Sequence, residues 1–117
     1  MSIYTDMIDY IDKHGISVGS VGTDYSGKTC LLGVAAEVRP FRKVFSAGGY
    51  TAWGLSELVT IAKRDMPKDR AVTRELNSRT KDYKWIYSYN DSVINGNKLL
   101  ATAMLKEAEE MRKAKSV

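Results

Sequence analysis

The sequence holds one cysteine, Cys30, and one histidine, His14, in 117 residues. A lone thiol builds no disulfide framework, and the pair falls short of the side chains a zinc or iron–sulfur site needs. No metal or other cofactor is therefore expected. Long apolar runs are also missing, since none approaches the roughly 20 residues that cross a bilayer. The first residues carry Asp6, Asp9 and Asp12 where a secretory leader needs bases. The expectation is a cytoplasmic protein that does not touch membranes. Prolines number two, Pro40 and Pro67, and each falls where a helical pattern ends.

What is present has the balance of an ordinary globular chain, 44% hydrophobic and 27% charged, which suits one core rather than two. Residues 1–117 are accordingly read as a single domain. The net charge of +4 is unevenly spread. Residues 1–38 set five acids against Lys13 and Lys28. The stretch from Arg39 to Lys84 holds eleven cations against five acids, so an anionic partner should meet the middle of the chain.

Apolar periodicity predicts mostly helix. Ile3, Met7, Ile8 and Ile11 repeat at three and four over residues 3–13, with Ser2 as a cap and Gly15 as a stop. Leu31, Val34, Ala35 and Val38 define a second helix from Cys30 to Val38, capped by Thr29. Residues 40–54 read as a structured loop or short hairpin around Gly48 and Gly49. A third helix runs from about Ala52 to Asp65 on Leu55, Leu58, Val59 and Ala62, with Thr51 as its cap. A short fourth covers residues 69–77 through Val72 and Leu76. Tyr83, Trp85, Tyr87 and Tyr89 alternate as in a strand, and this reading is preferred over a helix for residues 83–89. The last helix, from Asn97 to about Lys115, takes Leu100, Ala103, Met104, Ala108 and Met111 as its stripe, with Glu109 placed to pair with Lys113. The fold class is mainly α: a compact bundle of four to five short helices, with a small β element near residues 16–21 and 83–89.

GTDYSGKT, from Gly22 to Thr29, matches the phosphate-loop pattern G-x-x-x-x-G-K-[ST] in full. In such a loop Gly22 and Gly27 let backbone N–H groups face phosphate, Lys28 reaches the outer phosphates, and the Thr29 hydroxyl holds magnesium. The surroundings do not match it. The feeding segment, residues 16–21, is broken by Ser17, Gly19 and Ser20, and the chain lacks the strands of a parallel sheet. Cys30, His14 and Asn90 are the residue types of a papain-like site, but a buried cysteine and a helix-end histidine account for them more simply. The acids of the first helix read as a solvated face. The basic middle, with Arg39, Arg42 and Lys43 around Phe41 and Phe45 and with Arg70, Arg74, Lys81 and Lys84 near Tyr83 and Trp85, offers cations beside aromatic surfaces.

A helix ending in His14 and Gly15, the run from Cys30 to Ala35, and Asn90 with Asp91 before a final helix together resemble a family of small uncharacterised bacterial and phage proteins. The resemblance spans nearly the whole chain on short anchors, and the tryptophan often found just after the glycine is here Ile16. The family has no assigned activity, so no catalytic residue is carried over. It shares the Cys-Leu-Leu-Gly helix without generally keeping Gly-Lys-Thr ahead of it, which implies that the phosphate-loop match is incidental. Physically, Asn90 and Asp91 read as scaffold that caps or braces the last helix. The resulting expectation is a non-enzymatic binding or accessory protein, contacting protein or nucleic acid through the basic middle. The alternatives are phosphate binding at Gly22, Gly27, Lys28 and Thr29, and a small assembly protein with an exposed apolar face on its first or last helix.

Overall fold

Ser2 opens the first helix as its sequence suggests: its hydroxyl accepts from the Thr5 N–H, and α1 runs Ile3–His14 before Gly15 turns at φ +80°. The computed structural model describes residues 2–19, 27–39, 45–46, 49–50, 55–66, 76 and 80–115. Over these residues the architecture is mainly α. Helix α2 covers Leu31–Val38, α3 Ser56–Asp65, α4 Asp82–Tyr89 and α5 Lys98–Lys115, with a π-helical turn, Asn90–Ile94, between the last two. Two-residue strands β1 (Phe45–Ser46) and β2 (Gly49–Tyr50) pair antiparallel, which is the hairpin anticipated between Pro40 and Gly54. The fourth helix expected over 69–77, the Thr51 cap and the helix-ending prolines lie outside the described residues, although Leu76 is packed against the core.

Helices α1 and α5 pack together and run antiparallel, with Ser2 beside Glu109 at one end and Asp12 beside Lys98 at the other. Helix α3 lies antiparallel to α5, Glu57 meeting Lys115 and Arg64 meeting Glu107, while α2 packs on α1 and α4. Tyr4, Met7 and Ile11 of α1, Leu31, Leu32 and Val34 of α2, Leu58 and Ile61 of α3, Ile86 of α4 and Leu105 of α5 meet in the shared core. No helix among the described residues is long and apolar enough to cross a membrane.

Three expectations are corrected. Residues 83–89 are helical, not a strand. Tyr83 and Tyr87, four apart and so on one helical face, stack with centroids 6.2 Å apart, and the adjacent Trp85 and Ile86 are both buried. Residues 16–19 form no strand either; a single backbone bond, Ser17 N–H to the Thr29 carbonyl, joins them to the segment before α2. The stripe of α5 is rotated from the one expected. Ala101, Met104, Leu105 and Ala108 are buried, whereas Leu100 is 45% exposed and Ala103 faces solvent. Because α5 packs against α1 and α3 together, its buried arc is centred between two neighbours, not on one seam. Its charge pairing shifts as well, Glu109 engaging Arg112 and Lys113 engaging Glu110.

Candidate functional site

The π turn carries the residue that joins most segments. One inserted residue changes the bonding step so that the Asn95 N–H reaches the Asn90 carbonyl, five residues back, and Asn95 at φ +46° with Gly96 at φ +79° closes the turn. Asn90 is thereby fully buried with all three amide contacts made within the protein. Its Oδ1 accepts from the Leu31 N–H at 3.2 Å, while its Nδ2 donates to the Ser17 carbonyl and to Asp91 Oδ1, each at 3.0 Å. Asp91 Oδ1 also accepts from the Gly19 N–H at 2.8 Å.

This arrangement corrects the cap assignment for α2. Cys30, not Thr29, occupies the N-cap position and makes no side-chain cap bond; the acceptor comes from Asn90, 59 residues downstream. Nor does Asn90 cap the last helix, where the Leu99 and Leu100 N–H groups go to the side chain of Asn97. The short anchors singled out in the sequence nevertheless meet at one end of the bundle. His14 lies against Tyr10 with centroids 4.5 Å apart and the rings tilted by 42°, the Tyr10 hydroxyl donates to the Gly27 carbonyl at 2.6 Å, and Lys28 lies along Gly15. Gly27, at φ +86°, leaves no room for a side chain, since a Cβ there would sit 2.7 Å from His14 Nδ1.

Of the phosphate-loop residues, Gly22 lies outside the described residues, Lys28 is exposed and Thr29 is completely buried. The first N–H of α2 is given to Asn90, and Cys30 and Leu31 are buried. Cys30 is 2% exposed. Burial pushes its thiol up, the Gly33 and Leu32 N–H groups pull it down by less, and the Asp91 carboxylate adds to the rise, so a thiolate is disfavoured.

The basic set divides. Arg39 is half-buried, paired with Asp6 and bonded to the Val38 carbonyl, so it works inside the fold. Lys81 and Lys84 are exposed at the start of α4, beside the half-buried Tyr83–Tyr87 stack, and have no ion-pair partner among the described residues. Arg42, Lys43, Arg70 and Arg74 lie outside the described residues. Nearby Lys63 pairs with Asp82, and Arg64 bridges Asp65 and Glu107, which raises its guanidinium further and lowers both acids.

No family model, curated protein or solved structure matches this chain. Among the described residues no group of three or more His, Cys, Asp or Glu is placed to hold a metal ion. Two polar clusters escaped the sequence reading: Asn90 as a cross-chain cap, and Glu57 with Glu109 as nearly buried carboxylates. Glu57 and Tyr4 each adjoin an apolar stripe, and that adjacency to Leu58 and Ile3 was the available signal.

Proposed function

We propose that the protein acts by binding a macromolecular partner through its basic, aromatic middle region, as an accessory domain rather than an enzyme. The observation that supports this most directly is the exposed pair Lys81 and Lys84, three residues apart beside stacked tyrosines and without an ion-pair partner among the described residues, the intervening Asp82 being paired with Lys63. Groups of the kind that do chemistry are meanwhile occupied by the fold: Cys30 is buried with its thiol pushed up, and Glu57 and Glu109 are held in ion pairs. The resemblance to small bacterial and phage proteins without assigned activity agrees with such a role. The test is fluorescence anisotropy with a labelled single-stranded oligonucleotide and, separately, an acidic peptide, comparing the native chain with a Lys81→Glu, Lys84→Glu variant. The expected result is affinity for one probe that falls at least about tenfold in the variant and weakens with added salt. Equal binding by both proteins, or none to either probe, sinks the reading.

A second reading, self-assembly, is favoured by one observation. Leu99 is 77% and Leu100 45% exposed at the start of α5, and Val18, 46% exposed, reaches Gly96 just before them. Sedimentation velocity decides it: concentration-dependent association abolished by Leu99→Ser, Leu100→Ser supports assembly, and a monomer throughout removes it.

A further inference from the structure

Two carboxylates lie nearly buried at one end of the bundle, where the first turns of α1 and α3 meet the last turns of α5. Glu57, 7% exposed, accepts from Tyr4 Oη at 2.7 Å, Lys115 Nζ at 2.8 Å and Ser56 Oγ at 3.2 Å. Glu109, also 7% exposed, accepts from Arg112 Nε at 2.6 Å and Ser2 Oγ at 2.9 Å. Ser2 of the α1 cap holds Glu109 on α5, Tyr4 of α1 holds Glu57 on α3, and Glu57 holds Lys115 on α5, so the two carboxylates tie the same three helix ends together. Among the described residues, the charged and titratable groups facing it are Tyr4 from α1, Glu57 from α3, and Glu109, Arg112, Lys113 and Lys115 from α5.

The other end is built differently. There the Asn90 amide joins Leu31 to Ser17, and an amide does not titrate. The carboxylates at that end are Asp91, half-buried and accepting from Asn90 Nδ2 and the Gly19 N–H, and Asp12, exposed beside Lys98; the Asn90 contacts to Leu31 and Ser17 run through neither.

We propose that the Glu57–Glu109 network is an acid-released clasp, whose neutralisation frees the last turns of α5 from α1 and α3 while the Asn90 end stays folded. Protonated, the two acids no longer balance Arg112 and Lys115, and the cations left around the closely packed Tyr4 repel one another. Glu107, paired with Arg64 of α3, and Glu110, paired with Lys113, are the other acids of those turns, and both are far more exposed than the two of the clasp. Burial pushes the Glu57 carboxyl up, but hydrogen bonds from Lys115 and Tyr4 outweigh it and hold the group below the usual carboxylate range. Arg112 is the main cause of the same lowering at Glu109, against burial and with help from Ser2. A carboxyl lowered in the fold contributes stability that is complete above its unfolded pKa, about 4.3, and is lost as pH falls through the folded value. The clasp therefore holds at neutral pH and opens as pH falls below the usual carboxylate range, through the lowered folded values.

Amide hydrogen exchange, corrected for the intrinsic rate at each pH, tests it on the full chain. From about pH 7 to about pH 3.5, protection over residues 107–115 should fall at least about tenfold more than protection over residues 31–36 and 86–90. The Glu57→Gln, Glu109→Gln variant should show the open pattern already at neutral pH and respond little to acid. Loss of protection in parallel at both ends, or full protection of residues 107–115 in acid, overturns the proposal. If the double variant does not fold, Glu109→Gln alone should give an intermediate loss confined to the same turns, and an unchanged pattern there overturns it equally.

Discussion

Replacing Asn90 by alanine removes an acceptor and a donor from a completely buried position. The structure allows the cost to be worked out bond by bond. Loss of the contacts to Leu31 N–H and the Ser17 carbonyl costs about 1 kcal/mol each. The Leu31 N–H is then left buried at the head of α2 with no acceptor, which adds about 1–3 kcal/mol of desolvation. The expected total is about 3–5 kcal/mol, a large share of the roughly 5–15 kcal/mol that holds a domain of this size. Urea unfolding followed by far-ultraviolet circular dichroism and tryptophan fluorescence measures it, and the midpoint should drop with an unchanged slope. Asn90→Asp supplies the control. It keeps an oxygen for Leu31 but sets a second carboxylate oxygen against the Ser17 carbonyl and Asp91 Oδ1, so it should destabilise more at neutral pH than in acid. A loss below about 1 kcal/mol for Asn90→Ala refutes the claim that this side chain caps α2 across the chain.

Three further outcomes follow from the same end of the molecule. Gly27→Ala should cost about 2 kcal/mol or more by chemical denaturation, through its positive φ and the collision with His14, while Gly19→Ala, with a similar φ and open space around it, should cost about 1; equal losses would mean that the His14 contact carries nothing. Cys30 should react with a disulfide reagent far more slowly in the native protein than in urea, and rapid native reaction would contradict both its burial and its raised thiol. Magnesium nucleotide titrated into the native chain and into Lys28→Ala should give no saturable heat in either, because Thr29 and the head of α2 serve the interior; saturable heat lost in the variant would establish anion binding at the glycine-rich loop.

Local pattern determined much of this protein. The three-and-four spacing of Ile3, Met7 and Ile11, the Ser2 cap and the Gly15 stop defined α1 nearly to the residue, because each acts within one or two turns of chain. The inward set of α3, Leu55, Leu58, Val59 and Ala62, was legible for the same reason, although the helix begins only at Ser56. The mainly helical class, the short hairpin after α2 and the crowding of positive charge into the middle likewise came from local composition. Tertiary structure decided what depends on partners distant in sequence. The alternating aromatics of residues 83–89 fit two periods, and burial of adjacent Trp85 and Ile86 against α2 and α3 selected the helix. The seam of α5 turned toward two neighbours at once. The cap of α2 came from Asn90 and the partners of Glu57 from Tyr4 and Lys115, all more than 50 residues away. Side-chain periodicity reports which face of an element is apolar, but which buried polar atom finds which partner is fixed only when the helices pack.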